Sequence, residues 1–286
     1  MKCLVCGAGG FIGQHVVAKL RAAGHDVESS DFMRNPWDSE IPTEVDCVLN
    51  LAGTLKPAES NEAPDSDVLS NVCGSVRLLQ ECVAAGVGSL VFASSGGTVY
   101  GSPASLPVAE DAPTLPRCSY GVSKLAVEHY CRLFSQLHGL PTTCLRLGNV
   151  YGPGQQGEGQ GAVSVFLRHV RDGKPIEVWG DGSAVRDYVY VDDVAAAFLL
   201  AAEKPGTGHR VLNVGTGVGT SLLQLLQVVE RVTGIKPAVN FCEPRGWDVP
   251  ANHLDSSLVE MTLGWIPMTS LDGGVRKAWD SLVSPW

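Results

Sequence analysis

Tyr120 and Lys124 stand four residues apart in the segment Tyr120-Gly121-Val122-Ser123-Lys124. On a helix that spacing puts a phenol and an ammonium one turn apart on one face. A free phenol, with a pKa of ~10, is a poor base at neutral pH. Lowering it by ~3 units requires roughly 4 kcal/mol, which one cation ~4 Å away supplies in an effective dielectric of ~20. The pair therefore reads as an acid/base whose phenol is made acidic by its neighbour. Ser95, 25 residues before Tyr120, ends a predicted strand. A hydroxyl there can polarise a reacting oxygen at the crevice of an α/β sheet. The plain alternative is a surface Tyr–Lys pair and a turn serine.

A second constellation lies near the N-terminus. Gly7-Ala8-Gly9-Gly10-Phe11-Ile12-Gly13 follows a predicted strand, Lys2–Cys6, and precedes a predicted helix, Gln14–Ala23, ended by Gly24. Glycines at such a junction let the backbone turn tightly and approach a pyrophosphate, and the helix start offers free N–H groups. Asp31 closes the second predicted strand, Val27–Asp31, 18 residues after Gly13. An acid there accepts hydrogen bonds from ribose hydroxyls and repels a 2′-phosphate, which favours NAD over NADP. The alternative is a solvated loop acid, and the nearby Arg34 weakens the repulsion.

The elements that must position these groups alternate. Strands are expected at Asp46–Leu51, Ser89–Ser94 and Thr142–Leu147, and helices at Val68–Ala85 and Tyr120–His138. This is the pattern of a Rossmann-type α/β fold, a doubly wound parallel sheet. Beyond residue 150 the pattern loosens into helices at Val163–Asp172, Asp192–Ala202 and Ser221–Thr233 and a strand at Ile176–Trp179, a small mixed C-terminal lobe. The expected division is residues 1–150 for the dinucleotide, with 187–218 returning to that domain, and 151–286 mainly for substrate.

The 286 residues are 44% hydrophobic and 18% charged, with a formal charge of −9. Disorder is excluded, and nucleic acid and anionic membrane are poor partners for such a chain. No apolar run approaches the ~18 residues of a membrane span. With a strand predicted from Lys2, no signal peptide is expected. Nine cysteines, several in apolar segments (Cys73, Cys82, Cys131, Cys144), fit free thiols in a reducing cytoplasm. Cys3 and Cys6 read as strand residues on opposite faces rather than as a metal pair.

Together these blocks resemble the extended short-chain dehydrogenase/reductase family, in its NAD-dependent sugar epimerase/dehydratase branch. The resemblance runs through Gly7–Gly13, Leu51-Ala52-Gly53, Ser94–Gly101, Tyr120–Lys124, Arg146–Gly154, Arg186–Asp193 and Asn213–Gly217. It implies that Gly7, Gly10, Phe11, Ile12, Gly13, Asp31, Leu51, Ala52 and Gly53 bind NAD. It makes Tyr120 the acid/base, Lys124 its partner on the nicotinamide ribose, and Ser95 the hydroxyl, with Ser94 and Thr98 as alternatives. It places Asn149, Arg186 and Arg245 on the diphosphate of a nucleotide-sugar, a task that suits guanidinium forks. The structural alternative for the arginines is an ion pair, Arg186 with Asp187 or Arg245 with Asp248. A homodimer through the Tyr120 and Val68–Ala85 helices is a further implication.

Two departures from the family pattern carry information. No carboxylate stands among Ser95, Gly96, Gly97 and Thr98, so dehydration is not expected. Only 14 residues, Phe32 to Val45, separate the second strand from the next. The adenine side is expected to be abbreviated, with Asp38 as a substitute contact. The resulting expectation is a nucleotide-sugar 4-epimerase of the UDP-glucose/UDP-galactose type. The competing readings are a 4-keto nucleotide-sugar reductase and a non-catalytic NAD-binding sensor.

Overall fold

A computed structural model describes residues 1–30, 40–53, 57–155, 161–244 and 249–284. Asp31, Arg34, Asp38, Arg245 and Asp248 lie outside the described residues.

The N-terminal part builds β1 (Lys2–Cys6), α1 (Phe11–Ala22), β2 (Asp26–Ser30), β3 (Cys47–Asn50), α2 (Pro57–Glu62), α3 (Pro64–Asp67), α4 (Gly74–Ala84), β4 (Ser89–Ser95), α5 (Gly96–Val99), α6 (Ser119–His138) and β5 (Thr142–Leu147). Then follow β6 (Asn149–Tyr151), α7 (Ala162–Arg171), β7 (Ile176–Trp179), β8 (Val185–Tyr190), α8 (Val191–Glu203), β9 (His209–Val214), β10 (Gly219–Ser221), α9 (Leu222–Thr233), β11 (Val239–Cys242), α10 (Ser257–Leu263) and α11 (Leu271–Val283).

Six strands form an all-parallel sheet in the order β2-β1-β3-β4-β5-β9. The central strands are apolar on both faces because helices cover both. Alternation along β1 sends Cys3 and Val5 into a core under α1 and α8, and Leu4 and Cys6 into the opposite core under α4 and α6. The CxxC is thus split between two cores, as its strand reading required. Cys82, Cys131 and Cys144 are buried and free, and Cys73 is half-buried. This is the doubly wound parallel sheet that the sequence pattern called for. The smaller lobe is mixed, with β10-β8-β6 as one sheet, β8 antiparallel to β10 and parallel to β6, and β11 parallel to β7. Its core gathers Phe166, Leu167, Val178, Leu225, Val229 and Val275 from α7, β7, α9 and α11.

One predicted element is corrected. The helix expected over Val68–Ala85 is two pieces, one turn of π-helix at Val68–Cys73 and then α4, and α3 runs into it from Pro64–Asp67. A π turn holds one extra residue per turn, and apolar periodicity at this length does not distinguish it from an α turn. The helix expected over Ser221–Thr233, with Thr220 or Ser221 as its cap, starts at Leu222. Ser221 caps it in a box with Gln224, which satisfies two otherwise free donors.

Candidate active site

The glycine turn joins β1 to α1 without a side-chain cap and without an acidic residue in the helix's first turn. No side chain of the cap or first turn therefore competes for the amides at the start of α1, the groups that a helix can offer to an anion. Gly7 has φ +83, and a Cβ there would sit 2.8 Å from the Ala52 amide nitrogen; one on Gly13 would sit 2.1 Å from the Gly7 carbonyl oxygen. The turn is thus packed tightly on itself and on the Leu51-Ala52 segment after β3. Beside it opens a cleft of about 490 Å³ lined by Ala8, Gly9, Gln14, Arg21, Ser29 and Ser30. Its far wall is the end of β2, the position from which Asp31 follows.

Tyr120 stands in the first turn of α6, whose Ser119 amide donates to Asn61 Oδ1 at 2.8 Å. A Cβ on Gly121 would lie 3.2 Å from Thr98 Cβ, so glycine lets the helix start press against α5 and brings Tyr120 to the turn after Ser95. One turn on, Lys124 is buried, donates to the Ala93 carbonyl at 2.9 Å and lies 4.7 Å from the Phe92 ring centroid and 5.5 Å from that of Tyr120.

The expected acidification of the phenol by its neighbour is not met by the protein's own groups. Burial first, then Cys118 and the Asp67 carboxylate, push Tyr120 up to about 12. The ammonium is directed at a carbonyl of β4 rather than at the phenol oxygen. Burial also pulls Lys124 down to about 8, with Asp67 and Glu128 opposing.

The three candidate hydroxyls differ sharply. Ser94 is buried and donates to Glu128 Oε1, which also accepts from Arg146 Nε at 3.0 Å, while Oε2 completes the buried ion pair with Arg146 Nη2 at 2.7 Å. Thr98 Oγ1 is buried with no hydrogen-bond partner among the described residues. Ser95 ends β4 half-buried, and a Cβ placed on Gly97 would lie 3.9 Å from its Oγ and 3.5 Å from Asn149 Oδ1. Ser95 and Asn149 thus converge on a space that Gly97 keeps open. Asn252, buried, donates to the Gly96 carbonyl at 3.0 Å and fixes this turn from the C-terminal segment.

Arg186 on β8 donates to the carbonyls of Val185 (2.8 Å) and Val249 (2.7 Å), which ties β8 to the chain at Val249. The Asp187 carboxylate is occupied elsewhere: it accepts from Thr216 N and Oγ1, Gly217 N and Leu254 N.

Sequence reasoning missed Asp67. It is fully buried and accepts from Asn71 Nδ2 (2.6 Å), Ser123 Oγ (2.5 Å) and Ser119 Oγ (3.5 Å). It was hidden because its partner on α6 is 56 residues away in the chain.

The sequence profile of the NAD-dependent epimerase/dehydratase family matches residues 3–215. A UDP-glucose 4-epimerase of Mycolicibacterium smegmatis is 34% identical, covering 97% of each chain. Among solved structures, a UDP-glucose 4-epimerase with UDP-glucose from Thermotoga maritima superposes with a TM-score of 0.91 at 34% identity, covering 99% of this chain and 98% of that one. The Thermus thermophilus UDP-glucose 4-epimerase in complex with NAD gives 0.89 at 34%, covering 98% of each.

Proposed function

The chain belongs to the NAD-dependent epimerase/dehydratase family, and from that premise we propose that it is an NAD-dependent UDP-hexose 4-epimerase working through a transient 4-keto sugar. The observation that carries the reading is the meeting of Tyr120, buried Lys124 and Ser95 at one sheet end, beside an uncapped glycine turn.

The residues present fit NAD. The turn at Gly7 and Gly13 leaves no space for a Cβ, and a turn wound this tightly would offer a pyrophosphate backbone amides rather than side chains. Gly7, Gly10, Phe11, Ile12 and Gly13 would hold the phosphates, Leu51, Ala52 and Gly53 would flank them, and Asp31 would take the adenosine ribose. Lys124 would take the nicotinamide ribose. When bound, NAD supplies a hydride acceptor and, in its oxidised form, a positively charged ring.

The chain's own residues do the rest. Tyr120 as phenolate accepts the proton of the sugar 4-hydroxyl, and as phenol it gives the proton back to that oxygen. In the protein alone burial pushes the phenol up to about 12; the Lys124 ammonium and the positive ring of bound NAD would each favour the phenolate. Ser95 holds the reacting oxygen by a hydrogen bond. Asn149, Arg186 and Arg245 grip the diphosphate, which lets the keto sugar turn over while it stays attached. No carboxylate is present at the turn after Ser95 to expel the 6-hydroxyl, which supports epimerisation over dehydration.

Residues 1–150 with 187–218 would then form the cofactor domain, and 151–286 mainly the substrate lobe. Exposed Val122, Tyr130, Leu133 and Leu137 along α6, with Val68 and Leu69 on the neighbouring π turn, support a homodimer through this face. Nine free cysteines support a cytoplasmic setting, and no described helix is long and apolar enough to cross a membrane.

The test is mass spectrometry of the nucleotide that copurifies, followed by incubation with UDP-, dTDP- and GDP-sugars. Interconversion of UDP-glucose and UDP-galactose without net change in NADH absorbance is expected. Net NADH loss with a 4-keto nucleotide-sugar would mark a reductase instead. Tight NAD binding with no turnover of any sugar would mark a sensor.

A further inference from the structure

Lys124 is a buried amine whose charged form burial disfavours, so a negative charge nearby is what favours the ammonium. Its Nζ lies 5.5 Å from the Tyr120 ring centroid, and the charged neighbours that favour its ammonium are, in order, Asp67 at the end of α3, which is hydrogen-bonded to Ser119 and Ser123 just before Tyr120 and Lys124, then Glu128 on α6 and Cys144 on β5. Glu128 is already matched, since its two carboxylate oxygens accept three hydrogen bonds from Arg146 at 2.7 to 3.2 Å. Burial holds the Cys144 thiol well above its ordinary range, and it stays neutral. Asp67 has only neutral donors in its hydrogen bonds, namely Asn71, Ser119 and Ser123. No cation lies within ion-pair distance of it among the described residues. Ser123 is the residue before Lys124, so the carboxylate sits against the turn of α6 that joins the phenol to the ammonium.

The local backbone is built for this placement. Asp67 is the last residue before the π turn, and Asn71 lies within that turn. π turns are rare and concentrate at functional positions. Asn71 reaches back to Asp67 Oδ1, while Oδ2 is left for the two serines of α6.

We propose that Asp67 is a positioning residue for the reaction: its buried carboxylate is the counter-charge that keeps Lys124 an ammonium beside Tyr120, and its hydrogen bonds lock the π turn to the first turns of α6. The proposal rests on the reading of Tyr120 and Lys124 as the catalytic pair. It also makes Asp67 a compromise. The same negative charge that favours the Lys124 ammonium disfavours the Tyr120 phenolate, which Cys118 and Asp67 both face. Asp67 therefore sets where on the pH axis the pair operates.

Two arms test it on the full-length, NAD-loaded protein. In the first, kcat is measured against pH for Asp67→Asn and for Ser123→Ala. Loss of the negative charge should move both limbs of the Asp67→Asn profile to lower pH, by about 1 unit or more. Ser123→Ala removes a hydrogen bond and keeps the charge, so its rate should fall without movement of the limbs. An Asp67→Asn profile that is lower but unshifted would reduce Asp67 to a packing element and overturn the proposal. The second arm reads urea midpoints and needs no activity, so it stands even if the epimerase reading fails. Asp67→Asn alone leaves Lys124 unmatched and should lower the midpoint; adding Lys124→Met should raise it again. If Asp67→Asn does not fold, folding of Asp67→Asn/Lys124→Met is the expected result. A double variant no more stable than the single one, or equally unable to fold, would contradict the proposal.

Discussion

The Lys124 ammonium donates to the Ala93 carbonyl at 2.9 Å and lies 5.5 Å from the Tyr120 ring centroid. One cation thereby ties β4, the strand that ends in Ser95, to α6, the helix that begins at Tyr120. The charge is costly in a buried place, and such costs concentrate at functional sites, which agrees with the role proposed for Lys124.

Lys124→Met should lower kcat by roughly 10²-fold or more, the scale of a lost acid–base partner. Its pH dependence is a second check. Lys124 falls from its ordinary 10.5 to about 8 in the folded protein, so between those values the unfolded chain holds a proton that the folded one has released. Stability then rises with pH across this window. Below pH 8 both states hold the proton and the penalty is present in full. The wild type should therefore gain on Lys124→Met between pH 8 and 10.5, by at most about 1.4 kcal/mol per pH unit, as read from urea unfolding of both proteins.

Ser94 and Ser95 should separate stability from catalysis. Ser94 donates to the Glu128 carboxylate in a buried network with Arg146, so Ser94→Ala should cost about 1.5–3 kcal/mol, the range for hydrogen bonds to charged groups, with kcat changed only a few-fold. Ser95 faces the space shared with Asn149, so Ser95→Ala should leave the urea midpoint in place and lower kcat by about 10-fold or more. Midpoints and kcat measured on the two variants side by side decide the assignment.

The glycines of the phosphate turn should not be equivalent. A Cβ on Gly13 meets the Gly7 carbonyl oxygen at 2.1 Å, whereas one on Gly9 meets nothing within 4 Å. Gly13→Ala should destabilise by about 1–3 kcal/mol or more through overpacking and abolish retention of NAD. Gly9→Ala should leave the melting temperature of the NAD-free protein nearly unchanged. Calorimetry with and without added NAD distinguishes the two.

Much of this was legible in the residues. Glycine spacing after a strand, a Tyr–Lys pair at a helix start and a serine at a strand end each carry their own mechanical reason, and the fold places all three at one edge of the sheet. What escaped was long-range or short-lived in the chain. Asp67 and Ser123 meet across 56 residues, and the π turn that presents Asp67 was folded into one continuous predicted helix. The strands β6 and β10 hold three residues each, too few for a period to show. The phenol's elevated pKa escaped for a different reason: it comes first from burial and then from Cys118 and Asp67, none of which the Tyr–Lys spacing reveals.

The central claim is that Tyr120 carries the proton of the sugar 4-hydroxyl, and the most direct test is the turnover of Tyr120→Phe with UDP-galactose at matched NAD content. The expected result is a protein that folds, retains NAD and has lost about 10²–10⁴-fold in kcat, the range for a general acid–base group. Wild-type turnover by the NAD-bound Tyr120→Phe protein would contradict the account.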